Sequence, residues 1–506
     1  MKRVAVILAV CTVCTFRVSS QETHSHPPPE KLGTVTFPTS CAPSVAHEFE
    51  RSVALLHSFS YTDSEQAFRK IALADPTCAM AHWGIAMSYF HPLWSPPGPA
   101  DLRRGQIEIE QASHLNGVSA REKQFIAAAA AYYKDSDHVA PQVRAKAYAE
   151  AMGAASRSNP KDTEAQVFFA LSLIATAPLE DGTHANQKRA AALLEPVFRD
   201  QPDHPGAAHY LIHAYDSAEL APRGLTAARA YSKIAPSAPH ALHMPSHIFT
   251  RLGLWDDSIA SNQAARAAAH DQGDQGEELH AMDYLTYAYL QRGRGSDAEQ
   301  IVAALHAMHV SAGSDFKVDY AATVMPVRLA IERQRWSEAV ELQPLPDSAP
   351  HVAAIVFWAR AVANARAGRP QAAESDIAKI EACRRQLQAA GNAYWALQVD
   401  VLGKEATAWQ LAATARPTES VQLLRGAAEE EESVEKSSVT PGPVVPAREQ
   451  LGELLLTLNR PEQALREFRA SLAAAPGRRG AVTGAAKAAD LVGYTRTATQ
   501  MRAKLD

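Results

Sequence analysis

From about residue 45 onward, large apolar residues and alanines recur at helical spacing in paired segments, broken by short turns and by proline. Phe68, Ala72 and Pro76 close one pair, and Ile85, Ala86 and Tyr89 open the next. Pro202 and Pro236 stand 34 residues apart, with Leu211, Ile212 and Tyr215 between them. Leu252-Gly253-Leu254-Trp255, Gln291-Arg292-Gly293 and Arg366-Ala367-Gly368 read as turns inside hairpins, and Trp336 and Ala339 begin a second helix. The pattern predicts an all-helical chain built from repeated hairpins. Large residues fill the seam between two helices, Gly and Ala let them approach closely, and Pro ends one hairpin before the next.

The register is sharpest near the C-terminus. Leu451, Gly452, Leu455, Ala464, Phe468 and Pro476 follow the spacing L-G-x2-Y, A-x3-F, P of a 34-residue repeat, with leucine at 455 where tyrosine is usual. In these residues the chain resembles the tetratricopeptide repeat (TPR) family. The resemblance implies an all-α fold, a right-handed superhelical solenoid of TPR-like helical hairpins over most of residues 45–505. It also implies roughly nine to eleven hairpins, and a concave groove that takes a protein or peptide partner. The phrases CAMAHWGIAMS, HMPSHIFTRLG and VTPGPVVPARE further resemble a group of exported bacterial repeat proteins, which implies export and no particular activity.

Five segments follow. Residues 1–20 read as a signal peptide, with Lys2 and Arg3 ahead of an apolar stretch and Val18 and Ser20 before the cleavage point. Residues 21–44, polar and proline-rich, read as a flexible leader. Residues 45–433 form the degenerate array, 434–446 a linker after the acidic run Glu429–Glu432, and 447–506 a C-terminal hairpin with capping helices. The expected location is exported, periplasmic or extracellular. A lipoprotein reading of Leu8-Ala9-Val10-Cys11 is weaker, since valine before that cysteine is atypical.

Composition narrows the partners. A net charge of −5 with 21% charged residues provides no basic excess to neutralise phosphates, so nucleic acid is not expected. No run approaches the ~20 apolar residues of a membrane span. Beyond the signal, Cys41, Cys78 and Cys383 remain; Cys41 and Cys78 read either as a disulfide stapling the leader to the first hairpins or as two buried thiols.

Histidine is the informative departure. All 20 histidines lie at or before His351. His209 with His213 and His243 with His247 are i, i+4 pairs, and the two pairs are offset by the 34-residue period. In the family that the chain resembles, these positions line the groove, as do those of His240, His280, Asp283 and Tyr287, and Asp216 lies one turn past His213. Imidazoles from adjacent repeats, ~8–10 Å apart at their helix axes, can converge. His209, His213, His243 and His247, or three of them with Asp283, would then suit zinc or copper, with Asp283 or Asp216 as a candidate base. Hydrogen-bonded groove histidines and a site for an organic ligand stand beside that reading. Pro245, between His243 and His247, works against a shared helix face. No HExxH, GxSxG, phosphate loop or mature CxxC is present, so no catalytic residue is assigned and no cofactor is certain. Two functions remain: a scaffold that binds a protein or peptide in a His-rich groove, or a metalloprotein, even a metal-dependent enzyme, with its ions there.

Overall fold

The computed structural model describes residues 30–93, 96–310 and 316–505. The expected signal peptide lies outside the described residues. Among them there is no strand, and helices succeed one another in antiparallel pairs from Ala46–His57 with Tyr61–Ala74 to Arg479–Val492 with Thr495–Arg502. Each helix packs chiefly on helices one or two places away along the chain, the arrangement of a solenoid. The described residues therefore form an all-α array of helical hairpins, in which Lys31–Asp506 forms one compact unit. Among the described residues, no helix is long and apolar enough to cross a membrane.

The seams have the small-against-large packing that the repeat demands. A Cβ on Gly84 would stand 2.4 Å from the Phe68 ring, and one on Gly452 would stand 2.7 Å from Phe468. Both rings are fully buried. Any side chain at either glycine would force the paired helices apart.

Two connecting segments are more ordered than their composition suggests. Residues 31–44, expected to be a flexible leader, pack against the array through Leu32, Val35 and Phe37. Phe37 joins Phe49, Trp83 and Phe125 at ring separations of 5.2–5.5 Å, and Cys41 is disulfide-bonded to Cys78. Residues 434–446, expected to be a linker, contain buried Val439, Thr440, Val444 and Val445. Here a few apolar side chains per segment find a preformed helical surface to cover, which outweighs a polar average composition.

Polar contacts with distant helices hold the 434–446 segment. Glu435 pairs with Arg251, Lys436 with Asp216, and Tyr320 donates to Thr440. Fully buried Arg328 donates to the carbonyls of Gly442 and Pro443 and to Thr440. The last hairpins also meet the middle of the array. Trp255 donates to the Gly477 carbonyl, while Arg478 lies between Glu332 and Glu449 and donates to Tyr287.

Candidate functional site

The helix Pro205–Ala214 is buried along its whole length and carries His209 and His213. The next repeat begins with two short helices, Pro239–His243 and Pro245–Arg251. Pro245 does interrupt the hydrogen-bond ladder. Met244 nevertheless keeps helical backbone angles (φ −54°, ψ −35°), so the chain continues in one direction and His243 and His247 stay on one face. The following helix, Gln275–Gln291, supplies His280. None of the six histidines on these helices is more than 7% exposed.

The rings fall into two adjoining trios rather than the single four-histidine set expected. Ligand atoms of His243, His247 and His280 lie within 4.8 Å of one another, and so do those of His209, His213 and His240. Ring centroids connect the trios: His213 to His247 at 5.9 Å and His240 to His243 at 6.1 Å. A small void between them is lined by His240, His247, His280, Lys317 and Val439, the last from the 434–446 segment. Groove residues expected to face a partner are therefore covered by the chain itself.

Outer hydrogen bonds determine which ring nitrogen carries the proton. His247 Nδ1 lies 2.9 Å from an Asp216 oxygen, and His243 Nδ1 lies 2.7 Å from Asn262 Oδ1. The Asn262 amide nitrogen donates to Ser258, which orients that side chain. Both acceptors require an N–H, so both Nδ1 atoms are protonated and both Nε2 atoms hold lone pairs. Those two Nε2 atoms stand 3.1 Å apart. In the other trio His209 Nδ1 donates to the His57 carbonyl at 2.6 Å, and His240 Nδ1 donates to Glu277 at 3.2 Å. An acceptor that takes the Nδ1 proton behind a ring is the arrangement that orients metal-ligating histidines.

The electrostatics keep the rings of His209, His213, His243, His247 and His280 neutral. Burial, then neighbouring imidazoles, lowers the pKa of His209, His213 and His243 well below the ordinary range. His280 is lowered likewise by burial and His243. Burial brings His247 down to about 4 although Asp216 opposes it. Burial disfavours the Asp216 and Glu277 carboxylates too, yet Lys436 and Arg251 hold the first ionised and Lys317 and His240 the second.

Other expected site residues do different work. Asp216 orients His247 and binds Arg251 and Lys436. Asp283 is outside both trios; it pairs with Arg328 at 2.9 Å, and burial raises its pKa against the pull of that guanidinium. Tyr287 meets Arg478 instead of a ligand site. Sequence reasoning missed Asn262, Glu277 and Tyr284, whose hydroxyl lies 3.4 Å from His247 Nε2. Glu277, one helical turn before His280, was the one with a local signal.

A third cluster shows what a satisfied histidine group looks like. His57 and His204 donate from Nε2 to the two oxygens of buried Glu164, at 2.8 and 2.9 Å. Their Nδ1 atoms accept from Tyr210 and from the Ala207 amide. Every ring nitrogen is used within the protein, so this group reads as a structural polar network.

Beside the trios lies a cavity of about 980 Å³, with His213, Asp216, His351, Trp395 and Lys436 in its wall.

No family model matches the sequence, and no curated protein is similar to it in sequence. Solved structures that resemble it include the human IFIT1 dimer with m7Gppp-AAAA, at 12% identity over 84% of this chain and 89% of that one, with a TM-score of 0.34. The IFIT1 monomeric mutant with Gppp-AAAA gives 12%, 84%, 90% and 0.35. The P58(IPK) TPR domain gives 12%, 90%, 99% and 0.22. Scores this low bring nothing about ligand or partner from those proteins to this chain.

Proposed function

We propose that this chain is a metal-binding helical-repeat protein that holds a transition-metal ion, zinc or copper, on His243, His247 and His280. The observation that supports it is the 3.1 Å approach of two Nε2 atoms whose Nδ1 protons are both committed elsewhere. Two neutral imidazoles facing each other in this way repel through their lone pairs. The contact becomes favourable once an electrophile bridges them. Burial opposes a bridging proton, since it lowers the pKa of both rings. A metal ion fits: at a Zn–N distance of ~2.0–2.1 Å, tetrahedral ligands stand ~3.3 Å apart. Neutral imidazole donors suit zinc and copper better than magnesium or calcium, which prefer oxygen.

The protein-partner reading of the same groove needs these side chains accessible, whereas Val439 and its neighbours lie over them. The metal reading needs them buried and oriented. The Cys41–Cys78 disulfide suits the oxidising compartment that the signal-like first residues predict.

The test is metal content. Untagged protein, stripped with a chelator and reloaded with zinc or copper, is expected to retain ion through gel filtration, and His243→Gln with His247→Gln to lose it from this trio. Folded wild-type protein that retains no ion after reloading refutes the proposal.

A further inference from the structure

We infer that the centre is binuclear, with a second ion on His209, His213 and His240 beside the one on His243, His247 and His280. The inference rests on the metal reading above and adds a site of its own.

The second trio meets the same requirements from independent atoms. Its ligand atoms lie within 4.8 Å of one another, as in the first. His209 gives its Nδ1 proton to the His57 carbonyl, so its Nε2 is a lone pair; that atom is fully buried and accepts no hydrogen bond. A buried acceptor left without a partner is costly, and a ligated ion removes that cost. His240 gives its Nδ1 proton to Glu277, a carboxylate–imidazole pair that orients the ring. Proximity alone would not distinguish this trio from His57, Glu164 and His204, which are equally close; the difference is that His209 keeps a buried Nε2 lone pair without a partner, whereas His57 and His204 use every ring nitrogen within the protein.

The two sites are contiguous through His213 with His247 and His240 with His243. They differ in access. His213 lies in the wall of the large cavity and no ligand of the first trio does; His240, His247 and His280 border the small void beside Val439. The second ion is thus the one that faces the cavity and exchanges first. Paired ions at the edge of a chamber can share one exogenous ligand between them.

Counting ions decides it. Full-length untagged protein is stripped, reloaded with zinc alone, gel-filtered and measured by mass spectrometry of the metal. The expected values are two ions in the wild type, one in His209→Gln with His240→Gln, and one in His243→Gln with His247→Gln. One ion in the wild type, kept by the first double variant and lost in the second, overturns the binuclear inference and leaves the proposed function standing. No ion in the wild type overturns both. Should a double variant fail to fold, the wild-type count still decides, since a single ion per chain is incompatible with the inference. Brief exposure to a weak chelator is further expected to remove one ion faster than the other; equal rates refute the difference in access.

Discussion

Acidification of the ion-free protein puts the histidine cluster to a quantitative test. Burial lowers the pKa of His209, His213, His243 and His280, and brings that of His247 to about 4. In the unfolded chain each returns to about 6.5. The unfolded state then binds more protons, so stability is fully present above about pH 6.5 and is lost as pH falls toward the folded-state values. A histidine moved from about 6.5 to about 4 costs about 1 kcal/mol at about pH 5.5 and about 3 kcal/mol once protonated in both states. Several such groups in one pocket bring the loss at that pH to on the order of 3–6 kcal/mol, a large share of an ordinary folding free energy. Buried Glu405 and Glu431 act in the opposite sense, because burial pushes their pKa up, that of Glu431 to about 7. The cluster is therefore isolated by comparison with His243→Gln and His247→Gln together. Urea transitions followed by circular dichroism at about pH 7.5, 6.5 and 5.5 are expected to fall steeply in stripped wild type and less steeply in the variant. Parallel pH dependence in the two proteins would refute the reasoning. Loaded protein should hold its transition to lower pH, because ligated nitrogens cannot take protons.

Other consequences follow from particular contacts. Asp216→Asn withdraws the charged acceptor behind His247 and is expected to weaken ion binding about 10- to 100-fold in a competition titration against a chromophoric chelator. Glu164→Gln should destabilise the fold by about 3–5 kcal/mol in a urea transition, while the metal count stays at its wild-type value. Arg328→Met leaves Asp283 unpaired and releases the carbonyls of Gly442 and Pro443; amides around 439–445 should exchange hydrogen faster, and bound ion should dissociate faster. Cys41→Ser with Cys78→Ser opens a crosslink across a sequence separation of 37 and should cost about 4 kcal/mol, read in the same urea transition.

Much of this protein is local, and what is local can be read from the chain. Phe68 against Gly84 and Phe468 against Gly452 are contacts within a hairpin or between its neighbours, so they recur with the repeat and mark the helices in advance. The pairs His209/His213 and His243/His247 show the same period, which is why the groove histidines were visible. Their partition into trios was not, because it depends on where His240 and His280 point and on Met244, which keeps helical angles despite Pro245. The outer acceptors Asn262, Glu277 and the His57 carbonyl come from other helices, at separations of up to 152 residues. The roof comes from farther still: Lys436 reaches Asp216 across 220 positions. By itself the sequence determined the hairpins, their order and the repeated histidines, since each arises from contacts a few dozen residues apart. Only the tertiary structure decided which nitrogens meet, which protons they keep and what covers them, because those outcomes depend on how distant parts of the array close on one another, and no period in the chain records that.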